Sequence, residues 1–373
     1  MTAETPGFAV AHAAGGNWAP LAKACADRLS SAGGGDLGFL YATDALADDL
    51  PSILTFLRER LHIADWVGSV GLGVCASGHE YFDEPALAVM TARLPAGSWR
   101  VFPPITGAAM LDEPTMRRRF DGMDTGLAIV HGDPRNAEIP AIIGALAARH
   151  ARYLVGGLTS SRGAHSQVAG TVAEGGVSGV LLGAQVPVAV GLTQGCRPIG
   201  PQHRIGAARG NVIQELDGEP PLNVLLRETD ADPKRLRAAL GNIHVALPVA
   251  GSDTGDYVVR NLVGIDPERG LIAIGDEARS GASLMFVRRD PVSAMADLGR
   301  MLDGLKRRTA GPPKAGLYFS CIARGPNLFG PDAAELGAIR ERLGDFPLVG
   351  FFCNGEICHD RLYGYTGVLA LFL

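Results

Sequence analysis

One pattern of segments occurs three times along this chain of 373 residues. Each occurrence reads as a strand, a helix, a strand entering a Val-Gly pair, a loop and a further strand. The opening and Val-Gly glycines are Gly38 and Gly68, Gly126 and Gly156, and Gly316 and Gly350. Their spacings of 30, 30 and 34 residues indicate a repeated supersecondary unit. Because a helix between two strands is a crossover, the first two strands of each unit are predicted to be parallel, with the last returning antiparallel.

The segment between the first two strands of each pattern carries apolar residues at helical spacing. The three predicted helices cover residues 51–62, 140–151 and 332–343. Pro51 suits the first turn of its helix, and Asp332 is placed to cap the N-terminus of the last one. The final strands of the three patterns are predicted at residues 86–92, 179–182 and 367–373.

Composition limits the class of protein. The hydrophobic content of 47% is enough for a core, and the net charge of −5 comes from acids and bases mixed along the chain. This balance argues against nucleic acid or an anionic membrane as the main partner. The longest uncharged apolar run, residues 177–192, is too short to span a bilayer and contains Pro187. With six scattered cysteines and no secretory signal at the N-terminus, the sequence predicts a reduced, cytoplasmic protein.

The chain between the second and third patterns differs from the rest. Further strands and an amphipathic helix at 291–308 are expected there, and Pro220-Pro221 suggests a domain border. The sequence thus predicts an N-terminal extension (1–35), one domain at 36–220 and another at 221–373. The fold class is α/β (α+β): two domains of mixed β-sheets with helices on the outer faces, built from repeated β-α-β-β units.

Several motifs resemble those of one known family, the FIST proteins. Residues 318–325 look like the family's F-x-C-x-x-R strand, and residues 350–357 look like its G-F-[YF]-x-x-G-E-I stretch. Residues 363–371 resemble its last strand, although the family's usual Asn is not in place and Gly364 and Tyr365 stand in that neighbourhood. The likeness extends over about 36–373.

The resemblance implies a sensory protein with no established reaction. FIST proteins are regarded as binders of small ligands, with amino acids the usual proposal, and some members bind haem. The resemblance also favours the C-terminal motifs as the place where a ligand would bind.

Cys321 and Arg324 are the first candidate site residues. A guanidinium three residues from a thiol could lower the thiol pKa or hold a carboxylate, if the strand ends or bends between them. Asn327, which follows closely, is included in the candidate set. The alternative is a buried structural cysteine beside a surface arginine.

The loop at 353–360 is the second candidate. Glu356 could accept a hydrogen bond from a ligand ammonium group, while Asn354 offers both a donor and an acceptor. Cys353 and Gly355 complete this predicted ligand wall. The alternative is a turn in which Asn-Gly serves the backbone alone. Cys353, Cys358 and His359 lack the ligand spacing of a zinc site.

Three further residues carry open alternatives. Arg260, inside an apolar strand, either forms a structural salt bridge or binds an anion. His359 and His165 both lie nine residues after a Val-Gly glycine, which makes them the candidates for an axial haem ligand; surface histidine is the alternative.

Two glycine-containing stretches resemble phosphate-binding loops only in part. Residues 71–76 fit G-x-G-x-x-A, but no helix is predicted to follow, so the phosphate site would be missing. Residues 157–161 are either an anion nest or a plain loop. The sequence shows no Ser-His-Asp order, P-loop or HExxH motif.

The sequence and the resemblance together favour a cytoplasmic sensory protein, not an enzyme, without a cofactor. Its ligand would be an amino acid or another small anion or zwitterion, bound in a cavity formed mainly by the C-terminal domain. Because the chain carries no recognisable output module, a separate signalling protein would be its partner. The alternatives are a haem-based gas sensor and an enzyme with Cys321 as nucleophile.

Overall fold

The computed structural model describes residues 7–229, 240–249 and 256–373. The chain has the mixed α/β fold that the sequence predicts, and it forms two compact units. Unit 1 comprises Met1–Thr193 and Leu298–Leu373, and unit 2 comprises Gln194–Asp297. The border predicted at Pro220-Pro221 lies inside unit 2, so the compact units divide the chain differently from the predicted domains.

Unit 1 contains three stretches with the same order of elements. Each stretch has an outer strand, a helix, a first strand, a crossover helix, a second strand, a two-stranded hairpin and a third strand. The first stretch consists of β1 (Gly7–Ala14), α1 (Trp18–Ser31), β2 (Leu37–Thr43), α2 (Leu50–Leu61), β3 (Asp65–Gly71), β4 (Gly73–Ala76), β5 (His79–Phe82) and β6 (Ala86–Arg93). The second consists of β7 (Trp99–Ile105), α3 (Pro114–Phe120), β8 (Thr125–Gly132), α4 (Ile139–Arg149), β9 (Leu154–Leu158), β10 (Gln167–Ala169), β11 (Thr171–Ala173) and β12 (Val177–Gly183).

The third stretch begins with β13 (Val188–Thr193) and is then interrupted by unit 2. Unit 2 contains β14 (Cys196–Pro198), β15 (His203–Arg209), β16 (Val212–Leu216), α5 (Pro221–Thr229), β17 (Ile243–Pro248), β18 (Tyr257–Asp266), β19 (Leu271–Ile274) and β20 (Ser283–Arg289). Helix α6 (Pro291–Arg308) spans the border between the units. The third stretch then continues with β21 (Ala315–Cys321), α7 (Pro326–Phe329), α8 (Ala334–Leu343), β22 (Leu348–Cys353), β23 (Glu356–Cys358), β24 (Arg361–Tyr363) and β25 (Gly367–Phe372).

The strand directions predicted for the repeated pattern are confirmed. In each stretch the first and second strands are parallel, as in β2–β3, β8–β9 and β21–β22. The third strand returns antiparallel on the other side of the first, as in β6, β12 and β25.

Each hairpin pairs with a different stretch from its own. The hairpin strand β4 of the first stretch pairs with β22 of the third, β23 of the third pairs with β9 of the second, and β10 of the second pairs with β3 of the first. The result is three six-stranded sheets, each drawn from two stretches. No sheet of unit 1 is complete without a neighbouring stretch, so the three are expected to fold cooperatively.

The Val-Gly glycines are required by the parallel strand beside them. A Cβ atom at Gly68, Gly156 or Gly350 would lie 1.7, 1.8 or 1.7 Å from a backbone carbonyl oxygen of the neighbouring strand. The carbonyls belong to Leu40, Val130 and Tyr318. This register corrects one predicted correspondence: Ala128, not Gly126, is the counterpart of Gly38 and Gly316.

The three first strands meet at the centre of unit 1. Tyr41, His131 and Phe319 each follow the residue that faces a Val-Gly glycine, and all three are fully buried. Their ring centroids form a near-equilateral triangle with sides of 5.6, 6.3 and 6.2 Å. Burial lowers the pKa of His131 to about 3, so its ring is neutral at physiological pH. The corresponding residues of the three stretches therefore pack against one another in a single core.

The crossover helices pack as their apolar spacing predicts. The buried residues of these helices include Ile53, Leu57, Ile142, Leu146, Leu336 and Ile339. The predicted cap at Asp332 is wrong: the N-cap of α8 is Ala333, which makes no side-chain capping bond. Residues 7–31, predicted to precede the domains, form strand β1, which pairs with β6 in the first sheet, and helix α1.

Unit 2 is an antiparallel sheet that closes on itself. Strand β20 pairs with β17 on one side and with β14 and β15 on the other. The interior is apolar and includes Ile213, Leu216, Leu225, Val245, Ile272 and Phe286. Among the described parts of the chain, no helix is long and apolar enough to cross a membrane.

Candidate functional site

A fully buried ion pair joins the end of β21 to helix α8. The strand ends at Cys321, and a turn in which the Arg324 backbone N–H donates to the Cys321 carbonyl brings the arginine back. Arg324 Nε and Nη2 donate to Glu335 Oε1 at 2.9 and 2.6 Å. Both side chains are fully buried. The bend that Cys321 and Arg324 need in order to lie together is therefore present.

Glu335 is the residue that the sequence-based prediction missed. Besides Arg324, its carboxylate accepts from the Tyr318 hydroxyl at 2.6 Å, from Ser320 Oγ at 3.1 Å and from the Gly325 backbone N–H at 3.1 Å. These hydrogen bonds hold the carboxylate in place, and its two bonds from Arg324 fix the guanidinium beside it. The available signal was its position four residues before Ile339, which places an acid on the apolar face of a helix.

One nitrogen of the Arg324 guanidinium group, Nη1, takes no part in the hydrogen bonds to Glu335. Burial disfavours its charge, but Glu335 beside it outweighs that effect and raises the pKa of Arg324. Nη1 is buried and has no hydrogen-bond partner among the residues that the structure describes. A buried donor without a partner costs about 1–3 kcal/mol, so this atom is a natural contact for a ligand or a water molecule.

Glu356 is the second buried charge-bearing group. It opens β23 opposite Gly157 of β9, and its Oε2 accepts from the backbone N–H and the hydroxyl of Thr366 at 3.1 and 2.7 Å. Its Oε1 is buried and lacks a partner within the described part of the chain. Burial raises the pKa of Glu356 to about 8, against the opposing hydrogen bonds of Thr366 and the charge of Arg324. The group is therefore mostly protonated at neutral pH.

Two thiols complete this cluster. Cys321 and Cys353 are register partners on the parallel strands β21 and β22, and both are buried. Cys321 lies near enough to Glu356 for the two side chains to interact electrostatically. Burial and then the Glu356 charge raise the pKa of both thiols. We call Cys321, Arg324, Cys353 and Glu356, with the supporting Glu335, the Arg324–Glu356 cluster.

The structure places the other loop candidates differently. The Asn354 side chain is exposed, while its backbone N–H donates to the Leu158 carbonyl. Gly355 has φ +119°, and its carbonyl accepts from the Leu158 N–H at 2.8 Å. Asn327 lies in the short helix α7, where Nδ2 donates to the Ile322 carbonyl. The Asn-Gly pair thus serves the backbone junction with β9.

Arg260 lies on β18 of unit 2, and its Nε donates to Asp276 Oδ2 at 2.7 Å. The structural ion pair, one of the two alternatives for this residue, is therefore present.

The two histidines considered for haem are at separate places. His165 Nδ1 lies 2.8 Å from Thr159 Oγ1. His359 is exposed in a hairpin turn at φ +58°, next to Asp360 and Arg361. Charged neighbours in an exposed turn do not fit an axial ligand that needs an apolar pocket for the macrocycle.

The glycine-containing loops are structural. Residues 73–82 form the hairpin of β4 and β5, so the helix that a dinucleotide site needs is not there. Ser160 Oγ donates to the Phe352 carbonyl and accepts from the Leu72 N–H at 2.8 Å, which ties the three stretches together. Within the described residues, no three His, Cys, Asp or Glu side chains are arranged to hold a metal.

Comparison with known proteins identifies the family. The FIST N domain model matches residues 36–219 and the FIST C domain model matches residues 221–359. The chain therefore belongs to the FIST family, whose domains are recognised sensory domains, and this supports a role in signal transduction.

Its relatives among curated proteins are uncharacterized. One, from Mycobacterium tuberculosis (strain ATCC 25618 / H37Rv), is 32% identical over 369 residues, which cover 94% of this chain and 95% of the relative. Another, from Mycobacterium bovis (strain ATCC BAA-935 / AF2122/97), is 32% identical over 371 residues, which cover 89% of this chain and 93% of the relative.

Proposed function

We propose that this protein is a cytoplasmic sensor that binds a small zwitterion, best represented by an α-amino acid, at the Arg324–Glu356 cluster. One observation carries the proposal: the cluster holds one buried cationic donor, Arg324 Nη1, and one buried carboxyl oxygen, Glu356 Oε1, both without a partner in the described chain. A ligand carboxylate can accept from the first and a ligand ammonium can donate to the second.

Preorganisation supports this assignment. Glu335 fixes the guanidinium through two of its nitrogens, so no side-chain entropy needs to be lost at Nη1 when the ligand binds. Thr366 holds Glu356 in the same way through Oε2. The two groups that would contact the ligand are therefore already positioned.

Binding of an ammonium group is expected to release a proton. Glu356 has a pKa of about 8 in the free protein, so at pH 7 it carries a proton. A ligand cation beside it favours the ionised carboxylate and lowers this pKa. Affinity for ammonium-bearing ligands should therefore rise with pH up to about 8, whereas ligands that bear only a carboxylate should lack this dependence.

We expect the conformational change that a separate signalling partner detects to begin at strand β23. Glu356 belongs to the third stretch, but β23 pairs with β9 of the second stretch. A ligand that pulls on Glu356 acts directly on that sheet, and differential contact with two states is what shifts a conformational equilibrium.

The thiols argue for binding over catalysis. Burial, followed by the charge of Glu356, raises the pKa of Cys321, whereas a nucleophilic cysteine needs a lowered one.

The test is a thermal-shift and calorimetric series on the full chain with glycine, glutamate, succinate and methylamine. Ligands that bind the folded state raise the melting temperature. The variant Glu356→Gln keeps a neutral acceptor for Thr366 but cannot ionise, and exposed Glu341→Gln is the matched control. We expect amino acids to stabilise the wild type and Glu341→Gln, but not Glu356→Gln. An amino acid that stabilises all three proteins equally, or no stabilisation of the wild type by any of the four, contradicts the proposal.

A further inference from the structure

Two imidazole rings and a phenol from different sheets meet at one place on unit 1. His79 and Tyr81 are two residues apart on β5, so their side chains lie on the same face of that strand. His12 lies on β1, an edge strand of another sheet. The ring centroids of His12 and His79 are 4.9 Å apart, and His12 Nδ1 lies 2.5 Å from the Tyr81 hydroxyl.

We propose that this group, called here the His12–His79 pair, binds a divalent transition-metal ion of the copper and zinc class. Imidazole is a preferred ligand of these ions. A metal–nitrogen distance of about 2.0 Å puts the metal about 3.2 Å from each ring centroid, so two coordinating imidazoles have centroids about 5 Å apart. The observed separation of 4.9 Å fits that geometry.

The Tyr81 hydroxyl supplies the orienting contact that metal-binding histidines usually have. Such histidines donate their second ring N–H to an oxygen, which sets the tautomer and leaves the other nitrogen for the metal. When His12 Nδ1–H donates to Tyr81, Nε2 becomes the available ligand atom. The exposed His79 ring makes no hydrogen bond to any residue that the structure describes, so its nitrogens are accessible.

The site offers two imidazole nitrogens, and water molecules would complete the coordination, because no third His, Cys, Asp or Glu among the described residues joins the pair. A metal here joins β1 to β5, the edge strands of two sheets, and is independent of the amino-acid site.

The experiment titrates Cu²⁺ into the untagged full chain, followed by calorimetry and electron paramagnetic resonance. We expect one ion per chain, with hyperfine coupling to two imidazole nitrogens. His12→Ala and His79→Ala should each weaken binding by at least about tenfold and leave coupling to one imidazole. Tyr81→Phe should weaken it less, because it removes only the orienting contact.

His359→Ala is the matched control, because it removes an exposed histidine of the same unit that lies outside the pair. Circular dichroism of each variant checks that the fold persists. Unchanged binding in both His12→Ala and His79→Ala overturns the proposal, as does an equal loss in His359→Ala.

Discussion

The second and third stretches of unit 1 share one backbone arrangement but end their first strands with different chemistry. Three residues after the position that faces the Val-Gly glycine, the second stretch has Asp133 and the third has Cys321. Asp133 accepts from Arg135 Nε at 2.9 Å and from the Gly175 N–H at 3.0 Å. Burial opposes its ionisation, yet these bonds hold the pKa of Asp133 below the usual value.

The third stretch leaves its polar groups incomplete at the corresponding place. Arg324 is bound through Glu335, but Nη1 and the Oε1 atom of Glu356 lack partners in the described chain. At the strand end of the second stretch, Asp133 finds its hydrogen-bond partners within that stretch. In the third stretch, Arg324 Nη1 and Glu356 Oε1 remain available to a ligand. Shared architecture therefore does not imply shared function, and amino-acid binding is expected at the third stretch and not at the corresponding strand end of the second.

The largest expected effect tests the shared architecture. Gly350→Ala places a Cβ atom 1.7 Å from the Tyr318 carbonyl oxygen, and Gly156→Ala makes the matching clash in the second stretch. Each should cost more than about 4 kcal/mol of folding free energy, because backbone must move. Gly144→Ala in α4 is the control: with no atom nearby, it should stabilise by about 0.5–1 kcal/mol. Urea denaturation measures the stability of all three variants. A much smaller loss of folding free energy in either Gly350→Ala or Gly156→Ala would show that the two stretches are not structurally equivalent at this position.

The next effect separates the two ion pairs. Glu335→Gln leaves the fully buried Arg324 without its counter-charge and should cost about 3–5 kcal/mol. Asp133→Asn should cost less, about 1–2 kcal/mol, because the Arg135 side chain is 53% exposed and water can replace the carboxylate. Equal losses in equilibrium denaturation would show that the two strand ends do not differ as proposed.

Glu356 predicts a pH dependence of stability. Its carboxyl pKa is about 8 in the folded protein against an ordinary value of 4.5, so the folded state binds more protons than the unfolded state. The resulting stability is complete below pH 4.5 and is lost as the pH rises towards 8, by up to about 1.4 kcal/mol per pH unit. Glu356→Gln should have a shallower slope and keep only the part contributed by Glu80, whose pKa burial also raises to about 8. Parallel stability curves for the two proteins between pH 5 and pH 8 would refute the raised pKa.

The smallest expected effect concerns Asn354. Its side chain is exposed, so Asn354→Ala should change stability by less than about 0.5 kcal/mol and leave amino-acid affinity unchanged. Isothermal calorimetry beside Glu356→Gln makes the comparison. A tenfold loss of amino-acid affinity in Asn354→Ala would show that the Asn354 side chain does contribute to ligand binding.

The structure brings some of the predicted site residues together and separates others. Cys321, Arg324, Cys353 and Glu356 do lie together, because the strand ends and the loop that the sequence marks adjoin on parallel strands. Asn354, Asn327 and Arg260 lie elsewhere or serve local contacts. Glu335 was missed because its importance depends on donors in β21 and in the turn after it, which are 10 to 17 residues away in the chain.

The sequence by itself determined the local plan of this protein. Apolar spacing specifies the crossover helices, and the Val-Gly pairs specify where parallel strands come too close for a side chain. These features depend on neighbouring residues, so periodicity reveals them.

Only the tertiary structure decided how the stretches combine. The hairpin strands β4, β10 and β23 are three or four residues long, too short to signal their partners, and each pairs with another stretch. The same long-range packing buries Arg324 and Glu356 and leaves one atom of each without a partner among the described residues. Burial raises the cost of an unpaired polar atom, and burial is a property of the folded chain. The candidate site exists because two of the sheets contribute to it, one through β21 and β22 and the other through β23.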